Sequence, residues 1–223
     1  MPRKTTRPRG PQVKLAGALC VAYVNTANAH EKNRQVAVGS YDELLTWTVQ
    51  AGALTPDTAD ALRRHARDQP QEAERIFARA RELRSTLSRL FQAAAKRQRL
   101  PADDLARLNQ ELGGLLTPKQ LTYGTQGLIY TWVGAHDALD RCLWPVLESA
   151  IQVLTSGQRL ATCAAPECDL MFVDATPTRK RPWCDYRVCG RRVNALKHYH
   201  RRVKRSSASS FRMPQSTPLP SPE

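Results

Sequence analysis

The chain has 223 residues, of which 41% are hydrophobic, enough for one large domain or two small ones. Its N-terminus is polar and broken by prolines, and no run of about 18 apolar residues follows, which argues against a secretory signal or a membrane span. We therefore expect a soluble cytoplasmic protein. The net charge of +14 favours a polyanionic partner.

The excess charge lies at the two ends of the chain. Residues 1–14 hold five Lys or Arg and no acid, whereas residues 15–162 hold 17 basic and 15 acidic residues. Residues 163–205 hold 11 basic and four acidic residues. The basic composition predicts a disordered arm at 1–14, either contacting phosphates or simply solvated, and the Ser/Pro content predicts a disordered tail at 207–223.

The stretch between these ends predicts a mainly α-helical domain at 15–158. An apolar run at 15–29 predicts a buried helix. Ser40 is expected to cap the next helix, with Glu43 completing a capping box. Another helix is expected to begin at Pro56, since proline suits the first helical position.

Two more helices are predicted after these. In residues 71–99, apolar side chains recur at steps of three and four, which indicates a long amphipathic helix. Residues 101–115 show a shorter helical pattern that we expect Gly113 and Gly114 to end.

The last part of the predicted domain contains a hairpin. Aromatic and β-branched residues at 119–133 predict two short antiparallel strands. Residues 136–156 predict a helix with a kink or a start at Pro145. Cys20 and Cys142 stand alone in apolar patterns and are expected to be buried free thiols.

Four further cysteines have the spacing C-x4-C-x15-C-x4-C, which suits a tetrahedral Zn²⁺ site with two close pairs of ligands. The predicted ligands are Cys163, Cys168, Cys184 and Cys189. Four thiolates leave no position for a reactive water, and the sequence has no HExxH, GxSxG or glycine-rich phosphate motif. Catalysis is therefore not expected, with thiol redox exchange as a remote alternative.

Inside this predicted finger, several residues have expected tasks. Residues 170–174 are predicted to form a strand, followed by a turn and a return. Phe172 and Trp183 are expected to form a minimal core, although Trp183 could instead stack on a base. Asp174 is expected to accept hydrogen bonds in a turn rather than to bind the metal.

A basic amphipathic helix is predicted after Cys189, with Val193, Leu196, His200 and Val203 facing inward. Unspecified Lys and Arg favour phosphate contact over base reading; the alternative is that these charges only confer solubility. The candidate nucleic-acid contacts are Arg179, Lys180, Arg181, Arg191, Arg192, Lys197, Arg201, Arg202, Lys204 and Arg205.

The stretch CAAPECDLMFVDATPTRKRPWCDYRVCGRRVNALKHYHRR resembles the CGNR zinc-finger family of bacterial regulators. Upstream, VNTAN at 24–28, YDELLTW at 41–47 and the late hairpin are similar to the ABATE-type N-terminal domain of that family. The resemblance implies a stress-responsive transcription regulator whose finger binds DNA and whose N-terminal domain senses a ligand or partner. Arg191 stands where the family motif has Asn.

The sequence as a whole predicts a mainly α protein, in which a finger made of a hairpin and a basic helix at 159–206 follows the helical domain at 15–158. The predicted function is zinc-dependent DNA binding in transcription regulation. The alternative is a finger that binds RNA or a protein. No membrane partner is expected, and symmetric DNA sites would suit a homodimer.

Overall fold

The computed structural model describes residues 16–28, 37–134 and 137–209. The predicted arm at 1–14 lies outside these ranges, as does the predicted tail beyond residue 209. Within the described residues the helices and strands are α1 Leu19–Asn25, α2 Tyr41–Gln50, α3 Pro56–Asp68, α4 Pro70–Ala95, α5 Ala102–Leu116, β1 Lys119–Gly124, β2 Gly127–Trp132, α6 Trp144–Thr155, β3 Arg159–Thr162, β4 Met171–Asp174 and α7 Arg191–Ser209. None of the described helices is long and apolar enough to cross a membrane.

The helix starts follow the predicted capping chemistry. The Ser40 hydroxyl accepts a hydrogen bond from the Glu43 N–H at 3.2 Å and so caps α2. The Glu43 carboxylate returns to the Gly39 N–H at 2.7 Å, one residue earlier than in a standard capping box. Thr55 caps α3 in the same way, with Pro56 in the first turn.

Helix α4 forms the centre of the main core. The predicted apolar stripe is confirmed, because Ile76, Ala80, Leu83, Leu87 and Leu90 are all buried. This core also contains buried residues of α1, α2 and α6. The mainly α-helical class is therefore confirmed.

The region after α5 also agrees with its pattern. Strands β1 and β2 pair antiparallel through the predicted hairpin. A short 3₁₀ helix at Leu139–Leu143 precedes α6, which begins at Trp144 with Pro145 in its first turn. Of the two outcomes expected at Pro145, the structure has a helix start.

Four predicted boundaries are wrong, one of them the end of α4, which lies at Ala95 rather than at 99. The first helix begins at Leu19 rather than at 15, because the backbone at Ala16 pairs with β4 and Gly17 adopts a φ of +92° against Val173. Helix α5 continues through Gly113 and Gly114 to Leu116, since glycine lowers helix stability without ending a helix. Helix α7 extends to 209, three residues into the predicted tail.

The finger contains the predicted hairpin, but its strand pairing and its burial differ from the prediction. Strand β4 was predicted, but it pairs antiparallel with β3 before it, rather than with a return strand after it. Leu160, Met171 and Val173 of this hairpin are buried in the same core as the helices. Residues assigned to the finger therefore complete the hydrophobic core of the helical domain.

Candidate metal centre and nucleic-acid interface

The side chains of Cys163, Cys168, Cys184 and Cys189 converge, with all four Sγ atoms within 4.8 Å of one another. The Sγ of Cys184 lies 3.8 Å from that of Cys168 and 3.7 Å from that of Cys189, and the Cys168–Cys189 distance is 3.6 Å. Tetrahedral coordination with Zn–S bonds of about 2.3 Å places sulfurs about 3.8 Å apart. The donor set therefore fits a zinc ion, and these distances are far longer than a disulfide bond.

The backbone around each cysteine pair presents the thiols inward. The Cys163 N–H donates to the Leu170 carbonyl at 2.9 Å, and the Cys168 N–H donates to the Ala165 carbonyl at 3.1 Å, closing a turn between the first two cysteines. The Cys189 N–H donates to the Asp185 carbonyl at 2.9 Å in a one-turn π-helix that leads into α7. Both pairs thus lie on tight turns, as their spacing predicted.

The pKa values of the four clustered thiols favour binding of a cation. A hydrogen bond from the Cys184 thiol lowers the pKa of Cys163 to about 5. Burial raises the pKa of Cys168 to about 12, and the hydrogen bond to Cys163 raises that of Cys184. Four adjacent thiols cannot all ionise without compensation, and a divalent ion supplies it.

A small core supports the cluster. Phe172 is fully buried beside the cysteines, and Trp183 is partly buried against the same small core. The prediction that Trp183 packs within the finger is therefore confirmed. Asp174 accepts hydrogen bonds from Thr176 and from the Arg181 N–H at 2.9 Å. Burial alone would raise the pKa of Asp174, but these bonds outweigh it and lower the pKa. Asp174 is a turn acceptor, as predicted.

The predicted nucleic-acid contacts divide into two groups by exposure. Arg181 and Arg192 are partly buried, with the Arg181 guanidinium 4.3 Å from the Phe172 ring centroid and Arg192 donating to the Pro166 carbonyl at 2.8 Å. The side chains of Lys204 and Arg205 lie outside the described part of the structure. The exposed candidates are Arg179, Lys180, Arg191, Lys197, Arg201 and Arg202.

Helix α7 differs from its prediction on its apolar side. Val193 packs against the finger core, but Leu196, His200 and Val203 are exposed rather than inward-facing. The reason is the size of the finger, whose described core ends near the first turn of α7. Most of the described length of the helix therefore offers its surface to solvent.

Two family models match the chain. One, ABATE, is described as "Putative stress-induced transcription regulator" and matches residues 17–157. The other is the CGNR zinc finger, which matches residues 159–202. The chain belongs to the ABATE family. No curated protein matches the chain, and both matched models are of regulator and zinc-finger types rather than enzyme types.

The glycine of the CGNR motif has a steric reason. A Cβ built on Gly190 would lie 2.7 Å from Cδ2 of Tyr186 and 3.0 Å from Cε3 of Trp183. Only glycine therefore lets these two rings cover the turn after Cys189. Arg191, at the family's Asn position, is exposed and begins α7.

The ABATE domain is tied to the CGNR finger by Asn25, a residue of the VNTAN stretch for which the sequence suggested no task. Asn25 is 1% exposed, and its amide makes two hydrogen bonds of 2.9 Å to the Met171 backbone, donating to the carbonyl and accepting from the N–H. We call this pair of hydrogen bonds the Asn25 clamp. A cavity of about 290 Å³ adjoins it and is also lined by Cys184 and Cys189. The domain and the metal cluster therefore share one junction.

Proposed function

We propose that this ABATE-family chain is a zinc-dependent DNA-binding transcription regulator. The observation that carries the proposal is the convergence of four Sγ atoms within 4.8 Å at the base of an exposed basic helix. The four cysteines Cys163, Cys168, Cys184 and Cys189 would hold Zn²⁺ and so fix the start of α7. The metal's role is structural, and we infer no enzymatic activity.

Duplex DNA suits the exposed surface better than single strands. Single-strand binders stack bases mainly on large aromatic side chains, and Tyr199 is the only Phe, Tyr or Trp among the described residues of α7. Exposed Arg and Lys on a projecting helix instead suit phosphate contacts along a groove. RNA or protein binding is the alternative that the experiment below distinguishes.

The ABATE domain is the proposed regulatory part. A ligand or partner that displaced α1 would act on β4 through the Asn25 clamp, and the cavity beside the clamp borders two of the proposed metal ligands. A molecule bound in this cavity would contact both the ABATE domain and two of the proposed metal ligands. Its effect would therefore reach the finger directly. Cytoplasmic location remains a prediction from the sequence.

The test is a salt-dependent titration of the zinc-loaded full chain against duplex DNA, single-stranded DNA and structured RNA. The full chain is needed because Leu160, Met171 and Val173 are buried in the helical core. Binding should favour duplex, weaken steeply with salt and disappear on chelation or in Cys184→Ser. Equal binding of all three nucleic acids, or binding unaffected by zinc removal, would refute the proposal.

A further inference from the structure

The β1–β2 hairpin has one strongly apolar face. The strand register places Leu121 opposite Tyr130 and Tyr123 opposite Leu128. Directly paired residues, and residues two apart along a strand, share one face of a hairpin. These four side chains, which we call the hairpin apolar face, therefore form a continuous patch. The other face carries the paired Gln120 and Thr131, together with a single large apolar residue, Ile129.

The hairpin apolar face is exposed in the single chain. Leu121 is 69% exposed, Tyr123 84%, Leu128 62% and Tyr130 55%. In β1, polar residues alternate with Leu121 and Tyr123, a pattern typical of a sheet that buries one face. A two-stranded hairpin with nothing packed on it is also only marginally stable. The pattern therefore indicates a surface that is covered in the assembled protein.

The base of the hairpin is fixed to the ABATE domain. Trp132 packs on Trp144 with ring centroids 6.1 Å apart, and Lys119 pairs with Glu148. The Lys119 ammonium also lies 4.5 Å from the Tyr130 ring centroid. These contacts hold the apolar face at a set orientation, so it can act as a preformed docking surface.

We propose that the hairpin apolar face is where two copies of this chain associate. No Asp, Glu, Lys or Arg occurs between Lys119 and Asp137. The hairpin residues in this range therefore have no charged side chain that could pair with a charged partner. Residues 15–162, which contain the hairpin, hold 17 basic and 15 acidic residues, so two such bodies approach with little repulsion. The strongly basic ends are separate from this contact in sequence.

Symmetry and area also fit a second copy. A two-fold axis perpendicular to a strand places it antiparallel to its own copy, which suits edge pairing of a hairpin as well as face packing. Exposed side chains of these sizes offer on the order of 500 Å² per copy, close to the ~600 Å² per partner of the smallest specific interfaces. Edge contacts would supply the difference.

The test is the mass of the zinc-loaded full chain by sedimentation over a range of micromolar concentrations. The wild type should form a dimer, and Tyr123→Ser with Leu128→Ser should sediment as a monomer at every concentration tested. Both side chains are exposed, so the monomer fold should be unchanged, as checked by circular dichroism and the thermal midpoint. The cross-strand pair Gln120→Ser with Thr131→Ser, on the opposite face, serves as the control and should remain dimeric.

A monomeric wild type across that range would overturn the proposal, and so would a dimer that survives the paired serine change at Tyr123 and Leu128. Loss of dimer in the control variant as well would show that the hairpin's stability, rather than its apolar face, is needed, and would also count against it. Because the measurement contains no nucleic acid, its failure would leave the DNA-binding proposal untouched.

Discussion

At the scale of single residues, the turns of the finger depend on one polar side chain and one glycine whose roles the cysteine spacing does not predict. Gly190 leaves room for the rings of Trp183 and Tyr186, whose centroids lie 5.9 Å apart. Asp174 closes the turn after β4 by accepting three hydrogen bonds. These turns position the four cysteines so that their Sγ atoms converge.

Gly190→Ala should destabilise the finger by about 1–3 kcal/mol, because the new methyl group must displace two rings in a small core. The measurement is the rate of zinc release to a chelator, together with the unfolding midpoint. Gly113→Ala is the matched control, since no atom lies within 4 Å of the added Cβ in α5. That change should stabilise the protein by about 0.5–1 kcal/mol. Equal zinc release in Gly190→Ala and wild type would contradict the steric argument.

At the scale of helices and strands, side-chain clamps join elements that are distant in sequence. Asn25 of α1 holds the backbone of β4, and Arg89 of α4 holds Asp104 in the first turn of α5. Each clamp satisfies a polar group that would otherwise be buried without a partner. The two clamps act at different places, one at the finger and one between two helices of the helical domain.

Asn25→Ala should lower the free energy of unfolding by about 2–4 kcal/mol, because both the N–H and the carbonyl of Met171 lose their partner. Zinc should also be lost faster to a chelator, since β4 leads from the metal cluster. At neutral pH Asn25→Asp should be at least as destabilising, because it buries a carboxylate that cannot donate to the Met171 carbonyl it faces. If Asn25→Ala retained zinc as well as the wild type, the clamp would not couple the two modules.

Asp104→Asn should lower the unfolding free energy by about 1 kcal/mol at neutral pH, a modest loss because Arg89 is half exposed. The hydrogen bonds from Arg89 lower the pKa of Asp104 below its ordinary value. The stabilisation is therefore present above the unfolded-state pKa of about 3.9 and is lost as the pH falls through the lower folded value.

The check on Asp104 is a series of denaturant melts from neutral pH to about pH 3. The difference between wild type and variant should be constant near neutral pH and shrink below about pH 4. Asp103→Asn removes an exposed carboxylate from the same helical turn and should change stability little. A pH-independent difference for Asp104→Asn would exclude the ion pair as its cause.

At the scale of the whole molecule, charge and apolar surface are segregated. Near-neutral helices form the body, the basic finger projects α7, and the hairpin apolar face lies on the body. If both proposals hold, a dimer formed through the body would carry two fingers. Each finger would then contact phosphates through its own α7.

Lys197→Ala with Arg201→Ala should weaken duplex binding and reduce the slope of log affinity against log salt by up to about two. These residues are one helical turn apart and exposed. Arg64→Ala with Arg67→Ala removes the same charge from exposed positions on α3 and should leave the slope unchanged. Equal losses in both variants would mean that net charge, rather than α7, determines binding.

The sequence alone determined the features that depend on short-range spacing and periodicity. These are the Ser40 cap of α2, the start of α3 at Pro56, the stripe of α4, the β1–β2 hairpin and the two cysteine pairs. Each depends on residues a few positions apart, so local geometry suffices to specify it. The family resemblance, confirmed by the matched models, also rested on such local motifs.

Only the tertiary structure decided how these parts meet. The Asn25–Met171 clamp joins residues 146 positions apart, and no local pattern encodes such a contact. The same holds for the burial of the β3–β4 hairpin in the helical core and for the exposure of Leu196 and Val203 on α7. An apolar stripe predicts a buried face, but burial requires a neighbour, and packing alone decides whether one is present.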